Sequence, residues 1–234
     1  MATYVAPSLT ERYAGVCERI RVACRRVGRK PEDVRLVVVT KGVSAEVVRP
    51  VLDAGARRFG ENYVQEWRDK REQLADVDDL EWHFIGRVQR NKVRLLGSFA
   101  LIHSVADATT AAALSADGAR RRSVVPVLVQ VNLAGEPTKA GVAPAGLPRL
   151  LDEIRRLPWI RVDGLMTMPP PLPPEEVRPM FRALRALRDR QEDAEDLREL
   201  SMGMSGDFEV AIEEGATLVR VGTAIFGPRR KETA

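Results

Sequence analysis

Short apolar runs alternate with longer amphipathic stretches along almost the whole chain. The segment Arg35-Leu36-Val37-Val38-Val39-Thr40-Lys41 is a run of β-branched and aliphatic residues with no polar break, the pattern of a strand covered on both faces. Seven further strand signals follow, at residues 57–60, 81–86, 100–104, 124–131, 160–166, 199–202 and 218–222. Helical stripes lie between them at 45–54, 63–74, 89–96, 107–121, 147–157 and 175–193, and Ser205-Gly206-Asp207 caps a short helix that stops at Gly215. A helix over 8–28 precedes the first strand, with Ser8 or Thr10 as its cap and Gly28 as its stop. A polar loop spans 132–146 and carries Lys139, and Pro169 to Pro174 form a stiff connector. From Leu36 to Gly222 the units recur about every 27 residues, the length of one strand and one helix. Alternation of this kind builds a parallel sheet, and eight even units predict an α/β fold, a single closed (β/α)8 TIM barrel over 35–227. With no linker or composition break, residues 1–234 read as one domain: the 8–28 helix, the barrel and a 228–234 tail.

Composition narrows the function classes. Of the 234 residues 44% are hydrophobic, enough for a sizeable core, and the net charge of +4 comes from basic residues spread through helical segments. No basic block is interleaved with aromatics, so nucleic-acid binding is not expected; Arg120 to Arg122 and Arg229 to Lys231 read as solvated ends. Cys17 and Cys24 share one face of the first helix and make neither a disulfide framework nor a metal site. No metal is expected. No apolar run is long enough to span a bilayer and no signal-type leader stands at the start, so a reducing cytoplasm is the expected location.

In a barrel of this kind the chemistry gathers just beyond the strand ends. Those positions hold Lys41, Asn62, His83 to Gly86, Ser104, Asn132, Met166, Ser201 to Ser205 and Arg220 to Thr223. Alternation puts Val37, Val39 and Lys41 on one side of the first strand. A lysine there can lose its charge and attack a carbonyl; read alone it also fits a solvated residue at a strand end. Ser205, Gly222 and Thr223 follow strands seven and eight, where these barrels often bind phosphate, although a capped helix and a tight turn give the same pattern. Leu218, Arg220 and Gly222 share a face, which points Arg220 into the barrel one layer below Gly222, and a buried arginine is rare unless paired. A phosphorylated aldehyde satisfies all three features, with an imine to Lys41, its phosphate at Ser205, Gly222 and Thr223, and a ring nitrogen at Arg220. That molecule is pyridoxal 5′-phosphate, PLP.

With these residues assembled, the chain resembles the pyridoxal phosphate homeostasis protein family. The resemblance rests on Val39-Thr40-Lys41, Phe59-Gly60-Glu61-Asn62-Tyr63-Val64-Gln65-Glu66, Trp82 to Gly86 with Gln89 to Lys92, Gly164-Leu165-Met166, Ser201 to Asp207 and Arg220 to Gly227. It implies a barrel similar to the alanine racemase N-terminal domain, with PLP held as an aldimine on Lys41. Asn62, His83, Met166 and Ser201 are then in the cofactor site, Ser205, Gly222 and Thr223 hold the phosphate, and Arg220 faces the pyridine nitrogen. It also implies a role in vitamin B6 and amino-acid balance with no established catalysis; the reading favoured here is a protein that buffers PLP or delivers it to apo PLP-dependent enzymes, and an unadorned barrel of this size is expected to be a monomer. Two alternatives stand beside this: a weak amino-acid racemase, and an aldolase-type barrel using Lys41 without PLP. Against catalysis, the racemases' second domain is not expected here, and Arg220 leaves the ring nitrogen unprotonated. Val43 stands where some members carry a second lysine, Lys139 matches a loop lysine of the family, and Gly86-Arg87-Val88-Gln89 replaces a more usual Gly-x-Leu-Gln. His83 also fits a satisfied core histidine, and His103, Trp67 and Trp159 read as structural.

Overall fold

The computed structural model describes residues 6–136, 139–192 and 194–228. Strands β1 (Arg35–Val39), β2 (Arg58–Glu61), β3 (Glu81–Phe84), β4 (Leu101–Val105), β5 (Val125–Gln130), β6 (Ile160–Met166), β7 (Glu199–Ser201) and β8 (Leu218–Val221) pair in order, all parallel, and close into a barrel. The seam joins β8 to β1, with Val37 opposite Arg220. The outer layer comprises α1 (Leu9–Arg26), α2 (Ala45–Asp53), α3 (Val64–Gln73), α4 (Ala108–Arg121), α5 (Leu147–Arg155), α6 (Pro174–Asp189), α7 (Phe208–Glu213) and α8 (Thr223–Phe226). The TIM-barrel expectation holds. The tail over 228–234 lies outside the described residues beyond Pro228.

Strand alternation sorts the apolar side chains. Val37, Leu101, Leu128, Met166 and Leu218 form a compact cluster of their own. Their neighbours Val38, Ile102, Val127, Val129, Leu165 and Val219 belong to the larger core between strands and helices. At the amino ends of the strands, ion pairs Arg35–Glu199 and Arg58–Glu81 close the barrel floor. The carboxyl ends are left for the site.

Three of the differences from the sequence reading have a plain physical reason. The segment expected as a helix over 89–96 is a 3-10 run, Arg90–Ser98. Its buried residues Val93 and Leu96, and Phe99 just after it, lie three apart, which matches a three-residue turn rather than 3.6. Helix α6 starts at Pro174, where a fixed φ and a missing N–H suit the first helical position, and ends at Asp189. Strand β1 ends at Val39, so Lys41 sits in the turn beyond it, and Gly42 adopts the left-handed φ of 69° that this turn needs.

Helices α7 and α8 have six and four residues, too short to cover the barrel wall near the seam. Helix α1 takes that place, packed against both. Its start is set by a capping box: Ser8 Oγ accepts from the Glu11 N–H and the Ser8 N–H donates to Glu11 Oε2. Arg19 Nε donates to Glu209 Oε1 at 2.6 Å, and Arg29 Nη1, just after the helix, donates to the Ile212 carbonyl at 2.8 Å.

Candidate cofactor site

A cavity of about 440 Å³ opens at the carboxyl ends of the strands. It gathers seven of the nine residues that the sequence put forward: Lys41, Asn62, Met166, Ser205, Arg220, Gly222 and Thr223. Val39 lines it with Lys41, so the inward face of β1 runs straight into the site. Gly86 lets the turn after β3 press on the turn after β2: a Cβ there would stand 2.3 Å from the Asn62 carbonyl oxygen. The charged residues of the lining are Lys41, Arg87 and Arg220, all cations, and the lining holds no carboxylate.

His83 and Ser201 lie behind the lining rather than in it. Alternation does turn His83 inward, but Ile85, two residues on, is the residue that reaches the cavity. His83 lies one layer deeper, in a buried chain. Arg220 Nη1 donates to Ser201 Oγ at 2.5 Å and Nη2 donates to the Thr167 carbonyl at 2.9 Å. Ser201 Oγ lies 2.8 Å from His103 Nδ1, and His103 Nε2 lies 2.8 Å from His83 Nδ1.

The direction of this chain follows from its first member. A guanidinium has donors only, so Ser201 accepts from Arg220, and the order that also gives the buried Ser201 proton an acceptor has it donating to His103 Nδ1. His103 then carries its proton on Nε2 and donates to His83 Nδ1, which leaves the His83 proton on Nε2. Both tautomers are thus assigned from the network. Both rings must be neutral for this order. Burial pushes His83 down to about 3 and His103 well below its ordinary value, and nearby cations add to each shift. Burial lowers Arg220 to about 10, partly offset by Asp207, so it keeps its charge at neutral pH. The sequence reading took His103 as merely structural. Its place on β4 two residues from Leu101, on the same face, was the available signal that it points into the barrel.

At the other side of the cavity, Ser205 Oγ accepts from the Gly222 and Ala224 N–H groups, each at 3.2 Å. The Ser205 turn is fixed by Asp207, whose Oδ1 accepts from the Met204 N–H at 2.5 Å. A Cβ added at Gly206 would meet nothing within 4 Å, so the turn beside Ser205 is open. An amine, a hydroxyl cradle with open space and a pinned guanidinium, with no carboxylate among them, suit a phosphorylated aldehyde with a ring nitrogen. Lys139 is not in the lining; its Nζ pairs with Glu136 Oε1 at 2.8 Å. Among the described residues no cluster of His, Cys, Asp and Glu could hold a metal ion, and no helix is long and apolar enough to cross a membrane.

Residues 16–230 match the family described as alanine racemase, N-terminal domain. The pyridoxal phosphate homeostasis protein of Aquifex aeolicus is 49% identical over 224 residues, spanning 94% of this chain and 98% of the relative. The structure of PipY from Synechococcus elongatus with PLP bound superimposes at a TM-score of 0.79 and 38% identity, covering 91% of this chain and 100% of PipY. An alanine racemase of Clostridium difficile shares the fold, at a TM-score of 0.73 and 14% identity, over 94% of this chain and 58% of the racemase. On its sequence and its barrel alike, this chain belongs to the pyridoxal phosphate homeostasis protein family.

Proposed function

We propose that the protein binds PLP in this cavity, holds it as a Schiff base on Lys41, and buffers it or passes it to apo PLP-dependent enzymes of the cytoplasm. The observation that carries this reading is the lining itself: the Lys41 amine, an anion cradle and the Arg220 guanidinium converge in about 440 Å³, and the charged groups are all cations. Lys41 bonds to the aldehyde carbon. Ser205, Gly222 and Thr223 hold the phosphate. Arg220 faces the ring nitrogen, with Asn62 and Met166 against the ring. A PLP-bound PipY of the same barrel supports the ligand assignment.

Binding without turnover follows from what surrounds Lys41. Chemistry at an amino-acid α-carbon needs one group to take a proton and another to give one. Apart from Lys41, the lining has no Asp, Glu, His, Cys or Tyr to serve as the second. His83 and His103 are locked neutral behind Arg220. Arg220 stays charged and does not give its proton to the ring nitrogen, which leaves the ring a weak electron sink. The chain is proposed to work as a monomer.

The test is a visible spectrum of the purified protein with PLP, before and after borohydride, then mass spectrometry of its peptides. One phosphopyridoxyl group on Lys41 is expected, with loss of the imine band on reduction. Lys41→Ala should bind PLP without that band. Modification at another lysine would sink the assignment.

A further inference from the structure

Three charged side chains converge on the backbone at either side of Lys41. Glu61 ends β2 and is fully buried, and Lys70 of α3 is nearly so. Lys70 Nζ donates to Glu61 Oε1 and to the Thr40 carbonyl oxygen, each at 2.5 Å. Thr40 Oγ1 donates to the same Glu61 oxygen at 2.5 Å. On the far side of Lys41, the Gly42 N–H donates to Glu66 Oε2 at 2.7 Å, and that carboxylate stands 3.8 Å from Lys70 Nζ. Glu66 and Lys70 are four apart on one face of α3, so a single helix carries both anchors.

Stability alone is a poor reason for such a cluster. The desolvation of a buried ion pair offsets most of its attraction, and a well-packed apolar pair of the same volume often serves as well. The cost is visible here: Glu61 Oε2 is buried with no hydrogen-bond partner, and burial holds the Glu61 carboxyl above its ordinary value even beside Lys70. An apolar pair could not, however, grip a carbonyl and an N–H on either side of one residue. We propose that Glu61, Lys70 and Glu66 are positioning residues that fix the backbone at Lys41 so that its amine meets the aldehyde carbon. The proposal rests on Lys41 being the Schiff-base lysine.

In that step Lys41 Nζ adds to the aldehyde carbon, a carbon–nitrogen double bond forms, and the aldehyde oxygen leaves as water. The three positioning residues act on the Thr40 carbonyl and the Gly42 N–H, the backbone to either side of the reacting amine. Their effect therefore falls on the covalent step, while the phosphate and ring contacts made by Ser205, Thr223 and Arg220 are untouched. This separates a positioning role from a general structural one.

The experiment compares two ligands. PLP can form the imine; pyridoxine 5′-phosphate, with an alcohol in place of the aldehyde, cannot. Dissociation constants are measured by fluorescence titration for the wild-type protein, Glu66→Ala, Glu66→Gln and the double variant Glu61→Gln/Lys70→Met. Glu66 is only partly buried, so its variants keep the fold even if the double variant does not. Expected for Glu66→Ala is a loss of about tenfold in PLP affinity, what one charge-assisted hydrogen bond is worth, with the alcohol's affinity unchanged. Glu66→Gln keeps an acceptor for the Gly42 N–H and should restore PLP binding. Equal weakening of both ligands would make the residues merely structural and overturn the proposal, as would no change in either. Equal affinity of the wild-type protein for the two ligands would overturn the Schiff-base reading, and this proposal with it.

Discussion

Arg220 sets the state of side chains it does not touch. Because it can only donate, Ser201 accepts from it, and the order in which the Ser201 proton also finds an acceptor places the His103 and His83 protons on Nε2. A measurable pH dependence follows. In the unfolded chain each histidine titrates near 6.5; in the folded protein His83 is held down to about 3 and His103 well below its ordinary value. The unfolded state therefore binds more protons below pH 6.5, and the folded state loses stability as pH falls toward about 3. Above 6.5 neither histidine contributes a slope. Urea unfolding between pH 7 and pH 4.5 should show a loss of up to about 1.4 kcal/mol per pH unit for each histidine, and His83→Phe should remove one histidine's share. An unchanged slope in that variant would contradict the neutral, buried state of His83. Ser201→Ala breaks the chain at its centre, and nitrogen NMR should then show the His103 proton no longer confined to Nε2.

Among the elements, the site depends on turns that touch. Gly86→Ala would push a methyl into the Asn62 carbonyl, and neither turn can move without disturbing the cavity. Weaker PLP binding is expected, by about tenfold or more, with little change in the far-UV spectrum; wild-type affinity would show that the turns can part cheaply. The same scale shows what was legible in the sequence. The strand at β1 and the apolar run at β5 were plain because buried parallel strands are continuous in their hydrophobicity. The inward facing of Arg220 was legible from alternation alone, whereas Lys41 reaches the cavity from the turn beyond β1. Depth was not: alternation told that His83 turns inward, but not that Ile85 would be the residue to reach the cavity. The 3-10 run at Arg90–Ser98 reads as an ordinary helix because its two buried residues, Val93 and Leu96, lie three apart, a spacing that one face of an α-helix also shows. The Glu61–Lys70 pair was hidden because it joins β2 to α3, and side-chain partners across elements leave no periodic trace.

For the whole molecule, closure is the governing fact. Residues 35–38 of β1 pair with 218–221 of β8, so the barrel exists only when the two ends of the strand series meet. Helix α1 covers this seam by burying Val16, Ile20, Ala23 and Cys24. Removal of residues 1–28 should therefore expose apolar wall near the seam and give a protein that binds a hydrophobic dye and unfolds at lower urea. Retention of wild-type stability would mean that α1 is an ornament on a self-sufficient barrel. The packing of α1 on α7 has a meaning in time as well as in space. The Arg29–Ile212 bond spans 183 residues of sequence. At the usual pace of synthesis, α1 leaves the ribosome roughly ten to forty seconds before the surface it is shaped to fit. For that interval α1 has only α2 and the turn after it to pack on, and the part of its apolar stripe that fits α7 and α8 stays uncovered.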